Sequence, residues 1–212
     1  MLYTTTIERD TLKLIKSLQA KHYLKGFYLA GDTALALYMG HRKSIDIDLF
    51  SNFGFDASSM IESIHQDYSF QIFQTSANTI KGNIEGINVD IIAHRYKLLN
   101  KPAQEEKIRV LSEPDILAMK LNAISISGQR SKDFIDIYFE LKENRYEIRD
   151  IINFYRLKYQ QENDMHILKS LIYFDDIDLS DWPVLLRNKK LKWNQIKLFL
   201  EKETLKISNS DQ

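Results

Sequence analysis

Residues 44–50, with the sequence SIDIDLF, alternate between polar and apolar positions. This period of two predicts a β-strand with one buried face, because successive side chains of a strand point to opposite sides. Asp46 and Asp48 are therefore expected side by side on the polar face. The other face is expected to be buried and to consist of Ile45, Ile47 and Leu49.

The rest of the first half predicts short strands mixed with short helices. Gly31 follows a short apolar strand and precedes an Ala/Leu-rich helix, and Glu85–Gly86 between two apolar runs is typical of a hairpin turn. The predicted helices cover residues 7–24, 33–39 and 58–65. The predicted strands, besides residues 44–50, cover residues 26–30, 70–73, 80–84 and 87–92.

From residue 112 the apolar spacing becomes helical. Ser112 is a typical helix cap, with Pro114 in the first turn and Asp115 three residues after the cap. All seven glycines lie at or before Gly128. The predicted helices of this part cover residues 112–126, 131–142, 146–160, 165–174 and 193–206. We therefore predict an α/β (α+β) fold, in which residues 1–111 form a core around a small mixed sheet and residues 112–212 form a helical part.

Composition excludes several classes of protein. The chain has 212 residues, 44% of them hydrophobic and 27% charged, which is typical of a globular protein. It has no cysteine, so disulfides, thiolate metal sites and a cysteine nucleophile are excluded. Its zero net charge does not favour non-specific binding to nucleic acid. Neither a membrane span nor a signal peptide is expected, and a cytoplasmic protein is the simplest interpretation.

The Asp46/Asp48 pair is the first candidate for chemistry. Two carboxylates about 4 Å apart repel each other by about 4 kcal/mol at an effective dielectric constant of about 20, and strands disfavour aspartate. A cation would offset this repulsion, and ligands that are all oxygen suit Mg²⁺. The alternative is a solvent-facing strand edge that carries two acids without a metal.

Two further features belong with this pair. Gly31 at a helix start would let a phosphate approach free backbone N–H groups. Asp90 is the single acid in an apolar strand, and the sequence leaves open whether it is a third metal ligand or an ion-pair partner of His94 or Arg95. Two-metal phosphoryl or nucleotidyl transfer needs these parts. If they form a metal site, the three carboxylates converge on one face of the sheet.

Two sequence blocks resemble a known family. Residues 29–51, LAGDTALALYMGHRKSIDIDLFS, resemble the AbiEii/AbiGii toxin family of polymerase-β-type nucleotidyltransferases, whose usual form is close to LAGGTALALxxGHRxSxDxDLF. Residues 120–138 resemble the second signature of that family, K-x-x-A followed by R-x-K-D-x-x-D-x-Y. The resemblance covers about residues 26–142. It implies a nucleotidyltransferase core whose active-site cleft is completed by the helical part.

The resemblance also implies the roles of individual residues. Asp46, Asp48 and Asp90 would hold Mg²⁺ or Mn²⁺, with Asp90 as a candidate general base, and Lys120 would contact the triphosphate of an NTP. The alternative for Lys120 is a surface lysine with a buried stem, and the alternative for Asp133 and Asp136 is a solvated helix face. The residues expected to form the nucleotide-binding site are Gly31, Asp32, Thr33, Arg42, Ser44, Asp133 and Asp136.

Asp32 departs from the family pattern, which usually has Gly or Ser at this position. An acid here would either oppose the triphosphate or act as a helix cap, and replacement by glycine is expected to tighten NTP binding. Arg42 would hold phosphate or neutralise the Asp46/Asp48 pair.

As a function, the resemblance implies transfer of a nucleoside monophosphate from an NTP to an acceptor by the toxin of a bacterial toxin–antitoxin or phage-defence system. Transfer RNA is one candidate acceptor, and a cognate antitoxin is a candidate partner. The alternatives are a nucleotidyltransferase for a small molecule or a protein, and an inactive binding module that keeps the fold.

Overall fold

The computed structural model describes residues 1–143, 145–162 and 164–210. The chain divides into two units, Met1–Ser112 and Glu113–Gln212. The boundary lies one residue after the one expected from the sequence. In the described part of the chain, no helix combines the length and the apolarity that a membrane crossing requires.

The first unit is built on one mixed seven-stranded sheet with the order β3-β4-β5-β2-β1-β7-β6. Its strands are β1 (Tyr28–Leu29), β2 (Ile47–Ser51), β3 (Phe70–Ser76), β4 (Thr79–Ile84), β5 (Ile87–Ala93), β6 (Ala103–Glu105) and β7 (Ile108–Val110). Its helices are α1 (Arg9–Ala20), α2 (Gly31–Met39) and α3 (Ala57–His65), with 3₁₀ turns at Thr4–Thr6 and His22–Leu24. Strands β2 and β5 are parallel, as are β1 and β7, and the other neighbours are antiparallel.

Burial alternates along the central strands, as their period of two requires. The fully buried apolar residues of β2, β4 and β5 are Ile47, Leu49, Ile80, Ile84, Val89 and Ile91. The residues between them, which include Asp48, Lys81 and Asp90, point to the opposite face and are only partly buried. One face of the sheet therefore packs into the core of this unit, and the other carries the charged groups.

The first part of the strand predicted over residues 44–50 is not a strand. Strand β2 begins at Ile47, and Ile45, which was expected in the core, is 57% exposed. The hydroxyl of Thr33 donates a hydrogen bond to the backbone oxygen of Asp46, and Ser44 forms an isolated bridge with Ile7. The segment before β2 is thus held by other elements and does not follow the pleat of the sheet.

The second unit is helical, as predicted. Its helices are α4 (Glu113–Ile126), α5 (Ser131–Lys142), α6 (Ile148–Tyr159), α7 (Met165–Leu171) and α8 (Trp193–Ser210). The rings of Phe134, Phe174 and Trp193 lie with their centroids 5.6–5.8 Å apart and fix α5 against the start of α8. A mixed α/β chain with a seven-stranded sheet and eight α-helices in its described residues confirms the predicted fold class.

Candidate active site

Asp48 and Asp90 are neighbours on two parallel strands. The β2–β5 ladder pairs Asp48 directly with Asp90, so both side chains point to the same face of the sheet. Each acid lies between two fully buried apolar residues, Ile47 and Leu49 on β2 and Val89 and Ile91 on β5. Because the flanking residues fix the face, the two carboxylates are held side by side at the partly exposed surface of the sheet.

Asp46 lies on this face as well. Its Oδ1 accepts a hydrogen bond of 3.1 Å from the Nδ2 of Asn88, which precedes Asp90 by two residues and therefore shares its face. Asn88 in turn accepts one of 3.1 Å from Asn83 on β4. The side chains of Asn83, Asn88 and Asp46 are thus joined by hydrogen bonds across the sheet. Asn83 and Asn88 were not singled out by the sequence patterns.

The three acids share a face, but they do not form a closed cluster. Among the residues that the structure describes, Asp46, Asp48 and Asp90 do not form a group whose ligand atoms all lie within 4.8 Å of one another. Asp46 is engaged by Asn88, and Asp90 is engaged from the other side by Lys81. The shared face agrees with the sequence prediction, whereas the expected convergence on a single point is not formed.

Lys81 is the ion-pair partner of Asp90. Its Nζ contacts Asp90 Oδ2, with the lysine side chain 40% and the aspartate side chain 23% exposed. The two residues are directly paired in the β4–β5 ladder. The sequence had suggested His94 or Arg95 as the alternative partner, and the observed partner is Lys81.

Gly31 explains how the start of α2 comes so close to Asp48. A Cβ atom at this position would lie 2.1 Å from Asp48 Oδ2, and the backbone has φ +63°, which favours glycine. The N-cap residue of α2 is Ala30, which makes no side-chain capping hydrogen bond. The start of α2 therefore lies directly beside a carboxylate, and a helix N-terminus favours the binding of phosphate.

Asp32 does not cap this helix. It is the second residue of α2, and its Oδ2 lies 3.3 Å from the Nη2 of Arg42. Both side chains are largely buried. The capping interpretation of Asp32 is therefore wrong. Asp32 instead forms an ion pair with Arg42.

Thr33 and Ser44 connect α2 with the segment that carries Asp46. Their hydroxyls are 2.7 Å apart and buried, and the Thr33 hydroxyl also contacts the backbone oxygen of Asp46 at 2.5 Å. These contacts position Asp46 relative to the start of α2. A direct contact of either hydroxyl with a nucleotide stays a prediction.

The second signature forms a buried ion cluster in the helical unit. The Nζ of Lys120 on α4 lies 2.6 Å from Asp133 and 2.8 Å from Asp136, both on α5. All three side chains are at most 5% exposed. The alternatives of a surface lysine and of a solvated acidic face are thus wrong for these residues. Contact of Lys120 with a triphosphate, and nucleotide binding by Asp133 or Asp136, stay predictions.

Three further ionisable residues are buried in the described part of this unit. Asp115 on α4 and Lys158 on α6 form an ion pair of 2.7 Å with both side chains at most 1% exposed. Glu140 on α5 is fully buried, and its Oε1 lies 3.9 Å from the Nε of Arg145. Burial raises the pKa of Glu140 to about 7, against the opposing effect of Arg145.

Residues 84–209, more than half of the chain, match the model of a family described as nucleotidyl transferase AbiEii toxin of type IV TA (toxin–antitoxin) systems. The chain belongs to the AbiEii family. This confirms the resemblance seen in the sequence. The match includes Asp90 and the Lys120 cluster, and the segment with Asp46 and Asp48 precedes it.

Two other proteins are similar to this AbiEii chain. The uncharacterized protein aq_aa25 of Aquifex aeolicus (strain VF5) is 31% identical over 173 residues, which are 80% of this chain and 82% of that protein. A crystal structure assigned as a nucleotidyltransferase from H. pylori aligns with a TM-score of 0.56 at 16% identity, covering 95% of this chain and 93% of that one. The second likeness shows a shared fold. As a member of the AbiEii family, the chain is a nucleotidyltransferase.

Nucleotidyltransferases generally use divalent metal ions, and the sheet face of this AbiEii protein carries three carboxylates. Asp46, Asp48 and Asp90 offer only oxygen ligands, which Mg²⁺ prefers. The absence of a Cβ at Gly31 lets the carboxylate of Asp48 lie directly against the start of α2. These three residues would hold the ion, which would neutralise the phosphates and polarise the bond that breaks.

Proposed function

We propose that this AbiEii protein transfers a nucleoside monophosphate from an NTP to the hydroxyl of an RNA acceptor, with Mg²⁺ or Mn²⁺ held by Asp46, Asp48 and Asp90. Pyrophosphate is released. The observation that carries the proposal is the direct pairing of Asp48 with Asp90 on parallel strands, beside the start of α2 at Gly31.

The chain's own residues account for the remaining parts of the reaction. The triphosphate binds at the uncapped start of α2, where N–H groups and the helix dipole favour an anion. Asp90 takes the proton of the acceptor hydroxyl as that oxygen attacks the α-phosphorus of the NTP. Asn88 and Thr33 hold Asp46 in place through its side chain and its backbone. Within the helical unit, Asp133 and Asp136 fix the position of Lys120, for which the family signature suggests a role in nucleotide binding.

The biological role that we propose is that of a toxin acting in the cytoplasm, where NTPs and RNA are available. The family description, a toxin of type IV toxin–antitoxin systems, supports this role and a cognate antitoxin as partner. Transfer RNA is the proposed acceptor because modification of its 3′ end would stop translation. Growth arrest on expression in bacteria, abolished by Asp48→Asn, is the expected result.

The direct test is incubation of the purified protein with each α-labelled NTP, Mg²⁺ and total RNA. We expect label in the tRNA fraction with one preferred base, and a fall of about a hundredfold or more for Asp48→Asn and Asp90→Asn, because even outer partners of metal ligands affect activity about 10–100-fold. Asp10→Asn is the matched control, since Asp10 is an exposed acid on α1.

The destination of the label separates the proposed acceptor from its alternatives. Label that appears only in a protein or a small molecule would contradict the RNA acceptor and leave nucleotidyl transfer in place. If no acceptor is labelled with any NTP, and Asp48→Asn has no effect on growth arrest, the proposed function is wrong.

A further inference from the structure

Lys81 is a cation already present at the carboxylate site. Its ammonium contacts Oδ2 of Asp90, the carboxylate that is paired in register with Asp48. The position of Lys81 follows from the two-residue turn at Glu85–Gly86, which pairs Ile84 with Ile87 and, three residues further out, Lys81 with Asp90. The register of the hairpin therefore places Lys81 directly opposite Asp90.

The charges on this face explain what Lys81 does there. The hydrogen-bond donor on Asp46 Oδ1 is the neutral amide of Asn88, whereas Asp90 is contacted by a full positive charge. Within the described residues the three carboxylates are not gathered into one ligand group. An ammonium and a metal ion compete for the same carboxylate oxygen, because both are attracted by its negative charge and repel each other.

We propose that Lys81 is a positioning residue that holds Asp90 until a divalent cation displaces it, and that it thereby lowers the affinity of the site for the cation. This inference rests on the proposed function, because it assumes that Asp90 is a metal ligand. Lys81 is 40% exposed, so its ammonium can leave Asp90 for solvent without a rearrangement of the sheet.

The experiment measures metal affinity and not turnover. Mn²⁺ binding to the purified full chain is followed by electron paramagnetic resonance of the free ion for the wild type, Lys81→Met, Lys81→Arg and Lys13→Met. We expect Lys81→Met to bind Mn²⁺ about fivefold more tightly, the size expected for loss of a partly exposed ion pair. Lys81→Arg keeps a cation opposite Asp90 and is expected to restore the affinity of the wild type.

Lys13→Met is the matched control. Lys13 pairs with Asp10 at 2.8 Å on the exposed side of α1, so this variant changes the net charge by the same amount and also breaks a lysine–aspartate pair. Its Mn²⁺ affinity is expected to equal that of the wild type. A variant that had merely lost structure at the site would bind Mn²⁺ more weakly, which is opposite to the expected change.

The Asp48→Asn variant separates the two proposals. If Asp48→Asn removes Mn²⁺ binding but Lys81→Met leaves the affinity unchanged or weaker, the role of Lys81 is wrong and the metal site stands. If the wild type shows no Mn²⁺ binding that depends on Asp48, the proposed metal site fails, and the role of Lys81 fails with it.

Discussion

The guanidinium of Arg42 lies 3.3 Å from the carboxylate of Asp32, with the two side chains 1% and 11% exposed. Where the family usually has glycine or serine, this chain therefore has one half of a buried ion pair. The negative charge of Asp32 is compensated within the protein, so Asp32 does not act on a triphosphate as an isolated charge.

This pair changes the effect that is expected for Asp32→Gly. From the sequence, the variant was expected to bind NTP more tightly. Removal of one partner of a buried pair instead destabilises a protein by about 3–5 kcal/mol, and we expect this loss in the free energy of unfolding for Asp32→Gly and for Arg42→Met. Urea unfolding of both single variants and of the double variant tests this. The double variant should lose less than the sum of the two, and additive losses would argue against the pair.

Gly31 is expected to tolerate no side chain. Gly31→Ala places a Cβ 2.1 Å from Asp48 Oδ2 at φ +63°, whereas Gly86→Ala has the same kind of backbone conformation, φ +84°, with no atom within 4 Å. Both variants should lose about 1–2 kcal/mol of stability from the left-handed conformation. Only Gly31→Ala should also displace Asp48 and abolish nucleotidyl transfer. Thermal unfolding and transferase assays of the two variants give the comparison, and equal activities would show that the close approach is not needed.

The buried pair of Asp115 and Lys158 connects α4 with α6. Because both side chains are at most 1% exposed, Lys158→Met should lower the free energy of unfolding by about 3–5 kcal/mol. Lys13→Met, which breaks an exposed pair, should lower it by at most about 1 kcal/mol. Denaturant unfolding measures both changes. Similar small losses in the two variants would mean that Lys158 is well solvated in solution.

Glu140 predicts a pH dependence of stability. Its pKa is raised from 4.5 to about 7, chiefly by burial, so the folded chain binds this proton more tightly than the unfolded chain does. The stabilisation that this proton provides is complete below the pKa of Glu140 in the unfolded chain. It is lost as the pH rises through the pKa of Glu140 in the folded chain. The free energy of unfolding should thus fall between pH 4.5 and 7 through this group, by at most about 3 kcal/mol.

Glu140→Gln removes this titration. Groups that face Glu140 also affect it, namely Arg145, Glu113, Glu143 and Asp136, but they remain in the variant. The stability of Glu140→Gln relative to the wild type should therefore increase from pH 5 to pH 7.5, as measured by urea unfolding at each pH. Glu162→Gln, at an exposed glutamate of the same unit, is the control and should show no such change. A constant difference between Glu140→Gln and the wild type would refute the assignment.

Local patterns predicted much of this structure because they reflect local causes. Helix α5 has the predicted bounds, Ser131–Lys142, since its apolar spacing and the turns around it agree. Ile45 was wrongly placed in the core because the contacts of Thr33 and Ser44, which keep residues 44–46 out of the strand, come from other elements. The burial of Asp133 and Asp136 was missed for the same reason, because the acids lie on the polar side of α5 and their partner, Lys120, is on another helix.

Lys81 was missed although its signal is in the sequence. A two-residue turn at Glu85–Gly86 fixes the pairing of the flanking strands, and counting outward from it places Lys81 opposite Asp90. The sequence alone could not show that Asp90 would also pair with Asp48, because parallel pairing joins segments that are far apart in the chain.

The two partners of Asp90 are therefore set by different parts of the chain. Its alignment with Asp48 depends on the β2–β5 ladder, whereas its contact with Lys81 depends on the length of the Glu85–Gly86 turn. A one-residue insertion in that turn that shifted β4 by one position would turn Lys81 to the other face of the sheet, together with the buried Ile80 and Ile84, while the acids stay in place. Related chains that differ in this loop length would thus differ in metal affinity with the same three aspartates.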